Sequence, residues 1–155
     1  TGVIILVGRF YGIVQLSGRS AVDQLSVRFP NEVKDIKIDR LCEQLHFLHA
    51  AGWVSADGTK VGFFRVHYQD GKTEDIPIIY GTHVRDWWAA PDARPVTASE
   101  VAWKGSNRAS TASRMSLQVY KTTWKNSRPD AAIASLDYVS TMSPSAPFLL
   151  ALTTE

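Results

Sequence analysis

Three sets of residues in this sequence have types and spacings that could do chemistry. His46 and His49 form an H-x-x-H pair, which on a helix would share a face and could hold one metal ion. They lie in QLHFLHAAG, residues 44 to 52, a run with too few polar positions for an edge strand. It reads instead as a central strand covered on both faces. There an odd spacing sends the two imidazoles to opposite sides, so a structural role is expected for both. Cys42, the single cysteine, could act as a nucleophile with either histidine as its base. No activating helix N-terminus is visible near it, and a small buried hydrophobe is the expected state. Asp57, Asp70, Asp92 and Asp130 fall in loops where a structural calcium ion could bind. They lack the close spacing of a dedicated site, so no metal and no cofactor is expected. There is no nucleophile elbow, phosphate-binding loop or zinc spacing.

The five tryptophans are the compositional hint of a binding surface. A sugar ring stacks its C–H face on an exposed indole while Asp, Asn, Arg or His side chains bond its hydroxyls. The loop residues that could do this are Trp53, Arg85, Asp86, Trp88, Asn107 and Arg108. The competing role for such tryptophans is sandwich core. Trp87 and Trp88 are adjacent, so in a strand they point to opposite sides, one towards the core and one nearer solvent.

These residues must be positioned by strands. In the stretch from Val61 to Trp88, Phe64, Val66 and Tyr68 share one parity, and Ile76, Ile78 and Tyr80 another, as in a hairpin with one buried face. A two-residue Asp70-Gly71 turn would pair Arg65 with Ile76 and cross the core face with the solvent face. A three-residue loop, Gln69-Asp70-Gly71 with Gly71 left-handed, pairs Phe64 with Ile76 and Arg65 with Asp75. A one-residue slip inverts every side chain, so the spacing predicts the three-residue loop with a glycine bulge. Further strands are expected at Val3 to Val7, Gly12 to Leu16, Leu25 to Phe29, Lys34 to Ile38, Met115 towards Trp124, Ile133 to Val139 and Phe148 to Thr153. Val101 to Trp103 reads as short and extended. Asp39 to Glu43 could make one helical turn capped by Asp39, and Gly105 to Ser113 reads as an exposed loop. Eight to ten short strands without an amphipathic helix predict an all-β antiparallel two-sheet sandwich of jelly-roll type.

A chain of 155 residues is expected to form one domain, with residues 1 to 11 as an added strand or linker. The charges nearly balance, 17 Lys and Arg against 15 Asp and Glu, with no basic run. That argues against a nucleic-acid partner. The apolar start VIILV is too short to span a bilayer and reads as a strand. Thr1 is not an initiator methionine, so a processed product or excised domain is expected.

The string Leu45-His46-Phe47-Leu48-His49-Ala50 is followed in order by Val61-Gly62, Tyr68-Gln69-Asp70-Gly71, Ile76-Pro77, Tyr80-Gly81 and Asp86-Trp87. Val101-Ala102-Trp103, Val119-Tyr120, Thr123-Trp124-Lys125-Asn126 and Pro129-Asp130 come next. Together this resembles the galactose-binding-domain-like C-terminal β-sandwich of exported bacterial multidomain proteins, among them glycoside hydrolases and FecR-like regulators. The resemblance spans roughly residues 12 to 153. It implies a non-catalytic accessory module, carbohydrate-binding, working in the periplasm or outside the cell beside neighbouring domains of the same protein. Two other functions bear weighing. A protein-interaction domain could dock through the exposed hairpin face of Phe63, Arg65, His67, Asp75 and Pro77. A jelly-roll lyase or isomerase would use clustered His, Tyr, Arg or carboxylates, but no acid–base pair is visible.

Overall fold

A computed structural model describes residues 13 to 155, together with the backbone of residues 2 to 4. Its elements are β1 (Gly2–Ile4), β2 (Val14–Gln15), α1 (Arg19–Gln24), β3 (Glu32–Arg40), β4 (Gln44–Gly52), β5 (Lys60–Tyr68) and β6 (Thr73–Ile79). They continue with β7 (Trp88–Ala89), β8 (Glu100–Gly105), α2 (Arg108–Ala112), β9 (Ser116–Lys125), β10 (Ile133–Ser140) and β11 (Ala146–Thr154). Of the first strand expected at Val3 to Val7, residues 5 to 7 lie outside the described residues, as does Gly12 of the second.

The strands form two antiparallel sheets, as the alternating pattern predicts. The larger runs β1-β11-β4-β9-β7, with β2 also on β11 and β8 also on β9; the smaller runs β3-β10-β5-β6. Between them lies the core. Phe47 of the larger sheet stacks on Phe64 of the smaller at 4.1 Å between ring centroids, and Phe64 stacks in turn on Tyr138 at 4.7 Å. Alternate side chains from facing strands fill such an interior while their neighbours face outward.

The β5–β6 hairpin has the predicted register. Phe64 pairs with Ile76 and Arg65 with Asp75. Tyr68 and Lys72 close the loop through a backbone bond, and Gly71 takes φ +84. Phe64, Val66, Tyr68, Ile76, Ile78 and Tyr80 are all buried. β4 is central, and β3 buries Ile36 and Ile38 as its alternation predicts.

Three local expectations are corrected. Leu25 to Phe29 is not a strand but follows directly on the short helix α1. Among the described residues no strand pairs with residues 25 to 29, and Leu25 and Val27 stay 38% and 54% exposed. Alternation is only half of a strand; the other half is a partner's hydrogen bonds. Asp39 to Glu43 makes no helical turn, because β3 continues through Arg40, paired with Ile133. The Cys42 carbonyl, which a helix would use internally, accepts instead from Asn126 Nδ2 at 2.8 Å. Gly105 to Ser113 contains the short helix α2, closed by a capping box between Asn107 and Ser110.

Candidate functional site

An apolar concave feature of the described residues lies on the outer face of the larger sheet. Leu48 of β4 and Val119 of β9 belong to the face opposite Phe47 and Tyr120, so they point away from the core. They contribute to a groove of about 560 Å³ walled by Trp53, Trp87, Trp103 and Phe148. Ile13, Leu25 and Phe29 also line it, and Trp87 meets the edge of Phe148 at 6.0 Å. Among the described residues, Gln15 supplies the only polar side chain of the lining besides the indole nitrogens, and none of them that lines it is ionisable.

Two β-bulges build this groove. In the β8–β9 ladder Val101 sits opposite Tyr120 and Trp103 opposite Val119, leaving Ala102 as the extra residue. Simple alternation would put Val101 and Trp103 on one face; the bulge turns Trp103 over to the groove. In the β11–β4 ladder Leu149 sits opposite His49 and Ala151 opposite Leu48, so Leu150 is the extra residue and also reaches the groove. Trp103 is fixed further by Gly105. A Cβ at that glycine would collide with the indole, so the ring lies across the Gly105 backbone. It is nevertheless 50% exposed. It therefore presents a held aromatic face to solvent at the groove's rim.

Of the six residues singled out from the sequence, Trp53 alone lines this groove. Its backbone takes φ 64, and its Nε1 donates to Gln24 Oε1 at 2.8 Å. Arg85 is spent on a fork to Asp57, at 2.8 and 3.0 Å, with its guanidinium 5.7 Å from the Tyr80 ring centroid. That pairing lowers the Asp57 pKa and raises that of Arg85. Asp86 accepts from the Trp88 backbone N–H, its own N–H donates to Tyr80 Oη, and burial raises its carboxyl pKa. Trp88 stands edge-on to Trp87 at 6.1 Å but lies outside the groove lining. Trp87 lines the groove and Trp88 does not, but both are half-buried, so the expected division into one core-facing and one solvent-facing indole is not seen. Asn107 caps α2, and Arg108 is exposed on its first turn.

Sequence reasoning missed Trp87, Trp103 and Phe148 as groove residues. The available signal was Trp103-x-Gly105, a large ring two residues from a glycine on a strand.

The histidines divide as the strand reading predicts. His46 faces outward to Thr123 Oγ1 at 2.8 Å and Glu155 Oε2 at 2.9 Å. His49 is buried against Thr122 Oγ1 at 2.6 Å, and burial pushes its pKa down to about 3. Cys42 is buried and its thiol pKa is raised by desolvation. Among the described residues no three His, Cys, Asp or Glu side chains converge on a metal-sized site. No described helix is long and apolar enough to cross a membrane.

The exposed hairpin face is closed by its own pairs. Arg65 forks onto Asp75 at 2.7 and 2.9 Å, Lys60 and Arg65 flank the Phe63 ring, and His67 Nε2 meets Asp137 Oδ2 at 2.8 Å. No family model, curated protein or solved structure matches the chain.

Proposed function

We propose that this is a non-catalytic binding module of a larger exported protein, and that its tryptophan groove holds an extended segment of a partner polypeptide. The observation that carries the reading is the lining itself, three indoles and a wall of aliphatic and phenyl groups with no ionisable side chain among the described residues. Each apolar side chain seated there would contribute about 1.5–3 kcal/mol. A sugar hydroxyl stripped of water there without a partner would cost about 1–3 kcal/mol. The polar residues that a sugar site would need are engaged elsewhere: Arg85 with Asp57, and Asn107 with α2. The exported setting follows from the sequence resemblance.

The test is selection of a random peptide display library on the folded domain, with counter-screening against Trp103→Ala. Enriched peptides that lose binding to Trp103→Ala support the reading. A library that yields none overturns it.

Carbohydrate remains the second reading, favoured by one observation: the indole of Trp103 is held flat on Gly105 with half its surface free. A sugar stacked on this rim would keep its hydroxyls in water. Affinity electrophoresis through a panel of polysaccharides, with Trp103→Ala alongside, tests it. No retardation in any gel would remove carbohydrate as a ligand.

A further inference from the structure

Strand β8 bonds to β9 on one side, and among the described residues no other backbone group bonds to it. An open edge of this kind is a template for another strand unless something guards it. The edges of the smaller sheet are guarded. β3 carries Asp35 and Asp39 at φ 61 and 48, register shifts against β10, and charges at most outward positions. β6 carries Pro77 together with Glu74 and Asp75. β8, with sequence EVAWKG, has Val101 and Trp103 about half exposed, and its Trp103 borders the apolar groove.

Charge is segregated along the segment of chain that contains this edge. From Val101 to Pro129 the chain holds six Lys and Arg and no Asp or Glu, although acids outnumber bases elsewhere. Lys121 pairs with Glu100 and Arg128 with Asp70. Lys104 on β8, Arg108 on α2 and Arg114 beyond it are exposed and have no ion pair among the described residues.

We infer that β8 accepts one extended acidic segment of a partner protein as an added strand, whose alternate apolar side chains enter the tryptophan groove. Main-chain bonds to the open edge supply affinity, the groove reads every second side chain, and the unpaired cations select acids at the positions between. This rests on the reading of the groove as a polypeptide site and adds the conformation and charge of its occupant.

The experiment uses two fluorescent peptides, one alternating valine and phenylalanine with glutamate, the other with lysine in place of glutamate. The acidic peptide is expected to bind at least about tenfold tighter, a difference that high salt erodes. Lys104→Glu combined with Arg108→Glu should reverse the preference, and the bound peptide should slow amide hydrogen exchange across Glu100–Gly105. Equal binding of the two peptides, an indifferent double variant or unprotected β8 amides would each overturn the inference. Display-selected peptides that need Trp103 but leave β8 unprotected would overturn it while sparing the groove reading. Failure of both designed and selected peptides would sink both. Binding of a single-stranded oligonucleotide, lost in the double variant and unaccompanied by peptide binding, would reassign the cations to nucleic acid and overturn it as well.

Discussion

Tyr68 donates its phenolic hydroxyl to Asn126 Oδ1 at 2.7 Å, and the same amide donates through Nδ2 to the Cys42 carbonyl at 2.8 Å. Asn126 Oδ1 also accepts the backbone N–H of Arg128. Arg128 in turn forks onto Asp70 at 3.2 and 2.6 Å, with its guanidinium 4.6 Å from the Tyr68 ring centroid. One buried amide therefore ties the β5–β6 loop, the β9–β10 turn and the β3–β4 connection together.

Replacing Asn126 by alanine leaves several polar groups without partners. Each buried one costs about 1–3 kcal/mol, so Asn126→Ala is expected to destabilise by several kcal/mol. Tyr68→Phe removes one hydroxyl, which faces Asn126 Oδ1 and, at 3.3 Å, Glu74 Oε2, and should cost about 0.5–1.5 kcal/mol. Urea unfolding midpoints check the order; equal losses for the two variants would contradict the account.

His49 and Asp70 predict two windows of acid sensitivity. Burial holds the His49 pKa at about 3, below the ordinary imidazole value. Between about pH 6.5 and pH 3 the unfolded chain therefore binds a proton that the folded chain refuses. Stability falls with falling pH there, by up to about 1.4 kcal/mol per unit. For Asp70, the Arg128 fork and then the Lys72 backbone N–H hold the carboxyl at about 2. Its contribution is present above the ordinary carboxylate pKa and is lost as pH falls from about 4 to about 2. NMR titration of His49 should show no protonation above about pH 4. In His49→Leu the slope of the higher window should shrink by about one proton; an unchanged slope would refute the assignment.

Gly105→Ala separates the pose of Trp103 from the stability of the sheet. The added methyl must displace the indole. Tryptophan emission should shift and binding at the groove should fall at least about tenfold, a change of about 1.4 kcal/mol. The fold should persist, because alanine suits a strand edge at least as well as glycine. Full binding by a folded Gly105→Ala domain would show that the held ring does not matter.

Arg85→Lys tests whether this arginine is a ligand contact or a clamp. Lysine cannot reproduce the fork on Asp57. The expected result is faster proteolysis or hydrogen exchange in residues 53 to 60, a stability loss of about 1 kcal/mol or less, and unchanged affinity at the groove. Lost affinity with an unloosened loop would restore Arg85 to the list of contacts.

The hairpin was readable because its side-chain parity and its Asp-Gly turn impose the same register, and only one loop length satisfies both. Leu25 to Phe29 misled because period-two alternation does not say whether a partner strand is present. Asp39 to Glu43 misled because the acceptor of a helical bond, the Cys42 carbonyl, is claimed by a residue far along the chain. The groove was hidden for a related reason. Its walls come from segments as distant as Leu25, Trp53, Trp103 and Phe148, and Trp103 reaches it through a bulge that strict alternation cannot anticipate. Loop composition drew attention to Asn107 and Arg85, but cap and clamp are the usual work of such residues.

The Asn126 clasp also carries a kinetic meaning. Its side-chain partners lie 58 and 84 residues away in the chain, so closing it requires elements that assemble late from distant parts of the sequence. If it forms after the rate-limiting step, its loss accelerates unfolding and leaves refolding nearly untouched. A chevron plot of Asn126→Ala is expected to move on its unfolding limb; movement confined to the folding limb would place the clasp in the nucleus instead. On this account Asn126 sets how long the native sandwich persists rather than how quickly it forms.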